Sequence, residues 1–181
     1  FSERNLEILT GVLMGDGSIN HTDGNNPRMK IEMVNEDYLN SLKDTLSPLC
    51  GDVQDWGGTY CLYTSRHEQL SELQTWYNTG EKVFELEKLT PTILKHWFVC
   101  DGNLERQATG DRVRIAAFNE RGRTEELVEL FTDVGLPEPT ISASEKYCNV
   151  QFTQDDSDKV ISYMGEVVDG FEYKWPNNRK V

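Results

Sequence analysis

Two aspartates, Asp16 and Asp101, carry the strongest chemical signal in the sequence. Each stands before a glycine at the end of an apolar stretch, Leu9 to Met14 in one case and Leu94 to Val99 in the other. One Asp-Gly after a helix does no more than turn the chain. The same pair recurring 85 positions on, after a matching apolar stretch, marks a repeated functional position. Helices ending side by side would bring the two carboxylates together, and carboxylates with neighbouring backbone carbonyls form a hard oxygen site suited to Mg²⁺. The negative ends of the helix dipoles add to the attraction for cations. Two divalent ions in such a site activate water and stabilise the leaving oxygen in phosphodiester hydrolysis.

The elements that must position these carboxylates come from an internal repeat. Leu9–Ser18 matches Leu94–Asn103 at an offset of 85; Met29-Lys30-Ile31 matches Val113-Arg114-Ile115, and Asn35-Glu36 matches Asn119-Glu120, at 84; Tyr60-Cys61 matches Tyr147-Cys148 at 87. The chain therefore reads as a tandem duplication of an αββαββα unit: an α+β fold with two antiparallel sheets and a pseudo-two-fold axis, divided into residues 1–87 and 88–181. Motif helices are expected over 4–14 and 91–99, the second started by Pro91, with the Asp-Gly glycine free to take a left-handed conformation at the helix end. Alternation predicts strands over 28–34 and 112–118, with Met29, Ile31 and Met33 inward and Arg28, Lys30 and Glu32 outward. Further helices are expected over 36–48 and 120–134, strand pairs around 60–64 and 147–152, and terminal helices over 67–78 and 156–168. Gly57-Gly58 reads as a hairpin turn, and Trp56, Trp76, Trp97 and Trp175 read as core.

The chain has 181 residues and a formal net charge of −13. It is long enough to bury a core, and it has no apolar run approaching the 18 or so residues that span a bilayer. No membrane association and no secretion signal are expected, and the reading is a cytoplasmic protein. Cys50, Cys61, Cys100 and Cys148 lack the spacing of a zinc site or a disulfide framework and read as buried thiols. His21, His67 and His96 do not cluster, which argues against a histidine-metal nuclease. The acidic balance opposes nucleic-acid binding unless the cations gather on one surface. It resembles the composition of proteins working in concentrated salt, so a prokaryotic source, halophilic archaeal or viral, is the expectation.

Leu9–Gly17, with Leu9, Gly11, Asp16 and Gly17 in place, resembles the LAGLIDADG motif. Leu94, Trp97, Phe98, Asp101 and Gly102, preceded by Leu89-Thr90-Pro91, resemble the second copy found in single-chain members of the LAGLIDADG homing endonuclease family. The similarity runs from about residue 5 to about residue 176. It implies that the motif helices form the interface between halves, that Asp16 and Asp101 bind the catalytic metals, and that the carbonyls of Gly15 and Cys100 add ligands. Mg²⁺ is the implied ion, with Mn²⁺ as a substitute. Two four-stranded sheets would form a saddle over double-stranded DNA, cut by a monomer across the minor groove to give staggered ends. Lysines complete such sites, and Lys82 and Lys174 stand after the last helix of each half; Lys174 lies in Tyr-Lys-Trp-Pro, similar to an ending seen in the family.

Arg28, Lys30, Arg112 and Arg114 occupy the strand faces where a DNA saddle needs cations; Arg66, Arg106, Lys146, Arg121 and Arg123 extend that set. The sequence departs from the motif at Met14 and Val99, which replace its first Asp, and at His96 and Cys100, which replace small residues and are expected to widen the helix crossing. Besides a site-specific endonuclease, the alternatives are a cleavage-inactive RNA maturase or DNA-binding regulator, and the endonuclease portion of an intein. With no Cys or Ser at position 1 and no terminal His-Asn, splicing by this segment is not expected.

Overall fold

The computed structural model describes residues 1–21, 25–77, 82–108 and 110–176. In order, the elements are α1 (Glu3–Met14), β1 (Gly17–Asn20), β2 (Arg28–Met33), α2 (Glu36–Leu46), β3 (Gln54–Asp55), β4 (Tyr60–Tyr63), α3 (Ser71–Gln74), α4 (Pro91–Asp101), β5 (Gly102–Gln107), β6 (Gly110–Ala116), α5 (Thr124–Thr132), β7 (Thr140–Ala143), β8 (Cys148–Gln151) and α6 (Gln154–Met164). The strands form two antiparallel four-stranded sheets of the same order, β1-β2-β4-β3 and β5-β6-β8-β7. This is the duplicated α+β architecture, and the registers match as well. Gly17, Ile31 and Leu62 stand in one row of the first sheet, and Gly102, Ile115 and Val150 stand in one row of the second.

Each motif helix has a clear start. The Ser2 side chain accepts from the Asn5 N–H at the head of α1, and Thr90 accepts from Ile93 at the head of α4, with Pro91 at the first helical position. Such caps satisfy donors that the helix itself leaves free. Both helices are too apolar for a surface. Leu9, Val12 and Leu13 of α1 and Leu94, Trp97, Phe98 and Val99 of α4 are fully buried, and the two helices pack against each other at the centre of the molecule.

Glycine sets how closely they approach. A Cβ on Gly11 would lie 2.4 Å from the Ile93 carbonyl oxygen and 2.8 Å from the His96 Cβ, and one on Gly15 would lie 2.2 Å from the Cys100 Cβ. His96 and Cys100 therefore fit opposite glycines, and the crossing is close where a wider one was expected. The glycines after the aspartates also serve space. Neither Gly17 nor Gly102 has positive φ; Gly102 is extended, and a Cβ there would fall 2.0 Å from the Phe98 ring.

Element ends depart from expectation for local reasons. The span 67–77 is a short α-turn between 3₁₀ turns at Glu68–Leu70 and Thr75–Tyr77, because Leu70, Leu73 and Trp76 recur every third residue, the 3₁₀ period; Asn78 lies outside the described residues. α2 stops at Leu46, just before Ser47-Pro48. α5 starts only at Thr124, after a 3₁₀ turn at Phe118–Glu120, and Gly135, at φ 77°, closes it. α6 begins at its Thr153 cap and ends at Gly165, φ 75°. Gly57 and Gly58, both with positive φ, make the expected hairpin turn. Cys61 and Cys148 are buried, whereas Cys50 and Cys100 are half-buried. Trp76, Trp97 and Trp175 are core, but Trp56 is not: it is 50% exposed at the β3–β4 hairpin.

Candidate active site and nucleic-acid interface

Asp101 is the last residue of α4, and Asp16 follows α1 by one residue beyond its cap. The close crossing brings the two ends together. The position a Gly15 Cβ would occupy is 3.3 Å from Asp101 Oδ2, so the Asp101 carboxylate lies against the end of the other half's helix. Desolvation, then repulsion from Asp16, pushes the Asp101 carboxyl up to about 6. Asp16 opens to solvent on one side, yet the surrounding protein raises its carboxyl too, against the pull of Lys174 and Lys82.

Both lysines reach the site. Lys82 Nζ donates to the carbonyls of Gly15 (2.6 Å) and Gly17 (3.3 Å), and Lys174 Nζ donates to those of Val99 (2.6 Å) and Phe98 (3.5 Å). Each ammonium thus sits on the carbonyls ending its own half's motif helix, where the dipole favours a cation. In charge, however, they cross over: the cation acting most strongly on Asp101 is Lys82, and on Asp16 it is Lys174. Burial lowers both lysines, while the aspartates hold them up. Burial first, and then the charge of Asp16, pushes the half-buried Cys100 thiol well above the ordinary thiol range, so it is uncharged. Next to Asp101, the buried Trp97 indole N–H favours the ionised carboxylate without reaching strict hydrogen-bond geometry among the described residues.

The described residues contain no cluster of three or more His, Cys, Asp and Glu side chains able to hold an ion. Two carboxylates, helix-end carbonyls and open solvent fit Mg²⁺, which keeps several waters and takes one or two carboxylates plus substrate phosphates. The Gly15 carbonyl is already engaged by Lys82. An ion held by Asp101 would have to displace the proton on a carboxyl raised to about 6, so any Mn²⁺ affinity that depends on it should fall by up to about tenfold per pH unit below about 6. A titration at pH 5.0 and pH 7.5 measures this, and equal affinities would show that Asp101 holds no ion.

The faces of both sheets turned away from the core carry the cations. On β2, Arg28 lies over the Tyr63 ring (4.2 Å), and Lys30 lies over Trp56 (4.7 Å) while pairing with Glu32. On β6, Arg112 is exposed and Arg114 pairs with Glu105 at 2.9 Å. Arg66 sits beyond β4, bound to the Asn26 carbonyl, and Lys146 is exposed on the β7–β8 hairpin. Arg106 does not join this face. It alternates with Glu105, and its guanidinium holds the carbonyls of Tyr173 and Trp175. Arg123 is likewise tied to the Phe84 carbonyl and Glu120, and Arg121 to the Phe118 carbonyl and ring. Sequence reading missed Trp56 and Tyr63 as partners of the cations, and Asn103 and Gln151 beside Arg114; carrying the repeat through every strand would have placed the last two.

A duplicated α+β unit with paired carboxylates where its central helices end defines the class. The chain belongs to the LAGLIDADG DNA endonuclease family, whose pattern matches residues 6–160. No curated protein matches it significantly. Among solved structures it is similar to the homing endonuclease I-WcaI bound to its DNA recognition sequence, with 15% identity, a TM-score of 0.79, and 96% of this chain and 86% of that one covered. It is also similar to I-DmoI in complex with DNA and Mn, with 16% identity, a TM-score of 0.59, and 91% and 98% covered; other I-DmoI complexes contain Ca or Mg. The N-terminal LAGLIDADG domain of DUF199/WhiA matches with 11% identity, a TM-score of 0.58, and 92% and 86% covered. Identities this low speak for the fold alone. No helix among the described residues is long and apolar enough to cross a membrane.

Proposed function

We propose that this protein is a site-specific homing endonuclease that hydrolyses both strands of a long, nearly symmetric DNA duplex, its two halves being residues 1–87 and 88–181. The observation that carries the reading is the meeting of Asp16, Asp101, Lys82 and Lys174 at the ends of the α1 and α4 helices. The carboxylates, with the Cys100 carbonyl as a further donor and the Gly15 carbonyl shared with Lys82, hold divalent ions, Mg²⁺ or Mn²⁺. Such ions, when bound, activate water and neutralise the leaving oxygen. Lys82 and Lys174, desolvated and fixed on helix-end carbonyls, place positive charge where the pentavalent phosphate gathers negative charge. Arg28, Lys30 and Arg112 hold the backbone of the duplex against the two sheets, Arg114 faces the duplex from the second sheet, and Arg66 and Lys146 lie at the margins.

The test is exposure of a randomised duplex library to the protein with Mg²⁺ or Mn²⁺, followed by sequencing of cut ends. One long site with staggered ends supports the reading, and an uncut library contradicts it. Lys82→Met and Lys174→Met should each slow cleavage of the recovered site about 100-fold or more, with binding changed far less; single-turnover rates check this. A second reading, a regulator that binds DNA without cutting, is favoured by one observation: the Gly15 carbonyl, one of the donors an ion would use, already accepts from Lys82. Retention of one duplex without cleavage would decide for it.

A further inference from the structure

We infer that base discrimination is concentrated in the half of the DNA target lying under the second sheet, and that Asn103, Arg114 and Gln151 are the residues that read it. The inference rests on the proposed DNA-facing role of the sheets. In the second sheet these three stand in one row, Asn103 paired with Arg114 and Arg114 with Gln151. The equivalent row of the first sheet is Ser18, Lys30 and Tyr63. The rows correspond because each lies one residue from the matching core rows, Gly17-Ile31-Leu62 and Gly102-Ile115-Val150.

Their chemistry differs in kind. An Asn or Gln amide makes two directed hydrogen bonds to adenine, and an Arg guanidinium makes two to guanine, each rejecting the wrong base strongly. A serine hydroxyl bonds without such selectivity, a lysine is a rotatable point charge, and a tyrosine offers mostly a ring. The surroundings reinforce the contrast. In the first sheet both cations lie down on aromatic rings, Arg28 on Tyr63 and Lys30, also paired with Glu32, on Trp56, and the Arg28 Nε is buried with no hydrogen-bond partner among the described residues. In the second, Glu105 fixes Arg114 at 2.9 Å, beside a depression of about 170 Å³ walled by Arg112, Gln151 and Thr140. A guanidinium flanked by two amides is suited to selecting a base; cations laid over rings are suited to holding a backbone.

The experiment selects duplexes from a randomised library by retention on the intact protein without divalent ions, so that cleavage plays no part. The retained sequences should show one strict half and one tolerant half. Arg114→Lys, which keeps the charge, and Gln151→Ala should each flatten the preference at one or two adjacent positions of the strict half by roughly 5- to 100-fold. Ser18→Ala and Tyr63→Phe should leave that half unchanged. Equal strictness in both halves, or a strict half that responds to Ser18 and Tyr63 instead, would overturn the inference while leaving DNA binding intact. Retention of no duplex would overturn the DNA reading and this inference with it.

Discussion

Gly15→Ala is expected to destabilise the protein by about 1–3 kcal/mol and to abolish most cleavage, although glycine is ordinarily the less stable choice at a helix end that is not left-handed. The reason is the crossing of α1 and α4. An added methyl at Gly15 would lie 2.2 Å from the Cys100 Cβ, next to the Asp101 carboxylate, and Cys100 cannot swing its own Cβ away. The helices must separate, and the separation acts on the spacing of the two carboxylates, where misplacement by an ångström can cost a hundredfold in rate. The compensating change is Cys100→Gly. The pair Gly15→Ala/Cys100→Gly adds a methyl on α1's end and removes the Cys100 CH₂SH that it would meet, relieves the clash at a cost of about 1 kcal/mol for a glycine inside α4, and should restore most of the cleavage. Thermal unfolding and cleavage of the two variants check this, and a Gly15→Ala protein as stable and active as the parent would contradict the close crossing.

Asp101→Asn is expected to do two opposite things. Cleavage should fall by about a thousandfold or more, since several kcal/mol of charge stabilisation by bound ions depends on the carboxylate, and each 1.36 kcal/mol is tenfold. Stability without metal should rise. The carboxyl is held at about 6 in the folded protein, above its ordinary 3.8, so ionising it opposes folding, and stability declines as pH rises from about 4 through about 6. The amide removes that cost. The gain, about 1–2 kcal/mol after allowance for partial exposure, should be present above about pH 6 and absent below about pH 4. Unfolding midpoints at pH 4 and pH 7.5 without divalent ions measure it; a variant less stable than the parent at pH 7.5 would mean that the carboxylate is satisfied by the protein alone.

Much of this site was legible in the sequence because its signals are local and repeated. The apolar run into Asp-Gly occurs twice at one offset, and the alternation in Arg28–Met33 predicts which side chains leave the core. What could not be read depends on contacts between distant segments. Nothing local says that His96 and Cys100 fit opposite Gly11 and Gly15, so bulk in one helix looked like a wedge when it fills a gap left by the other. Charge alone does not separate a cation facing solvent from one that ties down backbone: Arg106 and Arg123 look like Arg112, but both are spent on carbonyls of segments far away in sequence. The charge cross-over, in which Lys82 acts most on Asp101 and Lys174 most on Asp16, exists only once the halves are packed together. Trp56 was misplaced because aromatic residues usually seek the core, while this one lies on a hairpin under a lysine.

The most direct test of the account is single-turnover cleavage of the duplex recovered from the library, with Mg²⁺, by the intact protein and by Asp16→Asn/Asp101→Asn at matched occupancy of the DNA. The intact protein should cut both strands, and the variant should retain the duplex equally while cutting neither strand. Cleavage by the variant at the intact rate would show that the paired aspartates are not the catalytic centre.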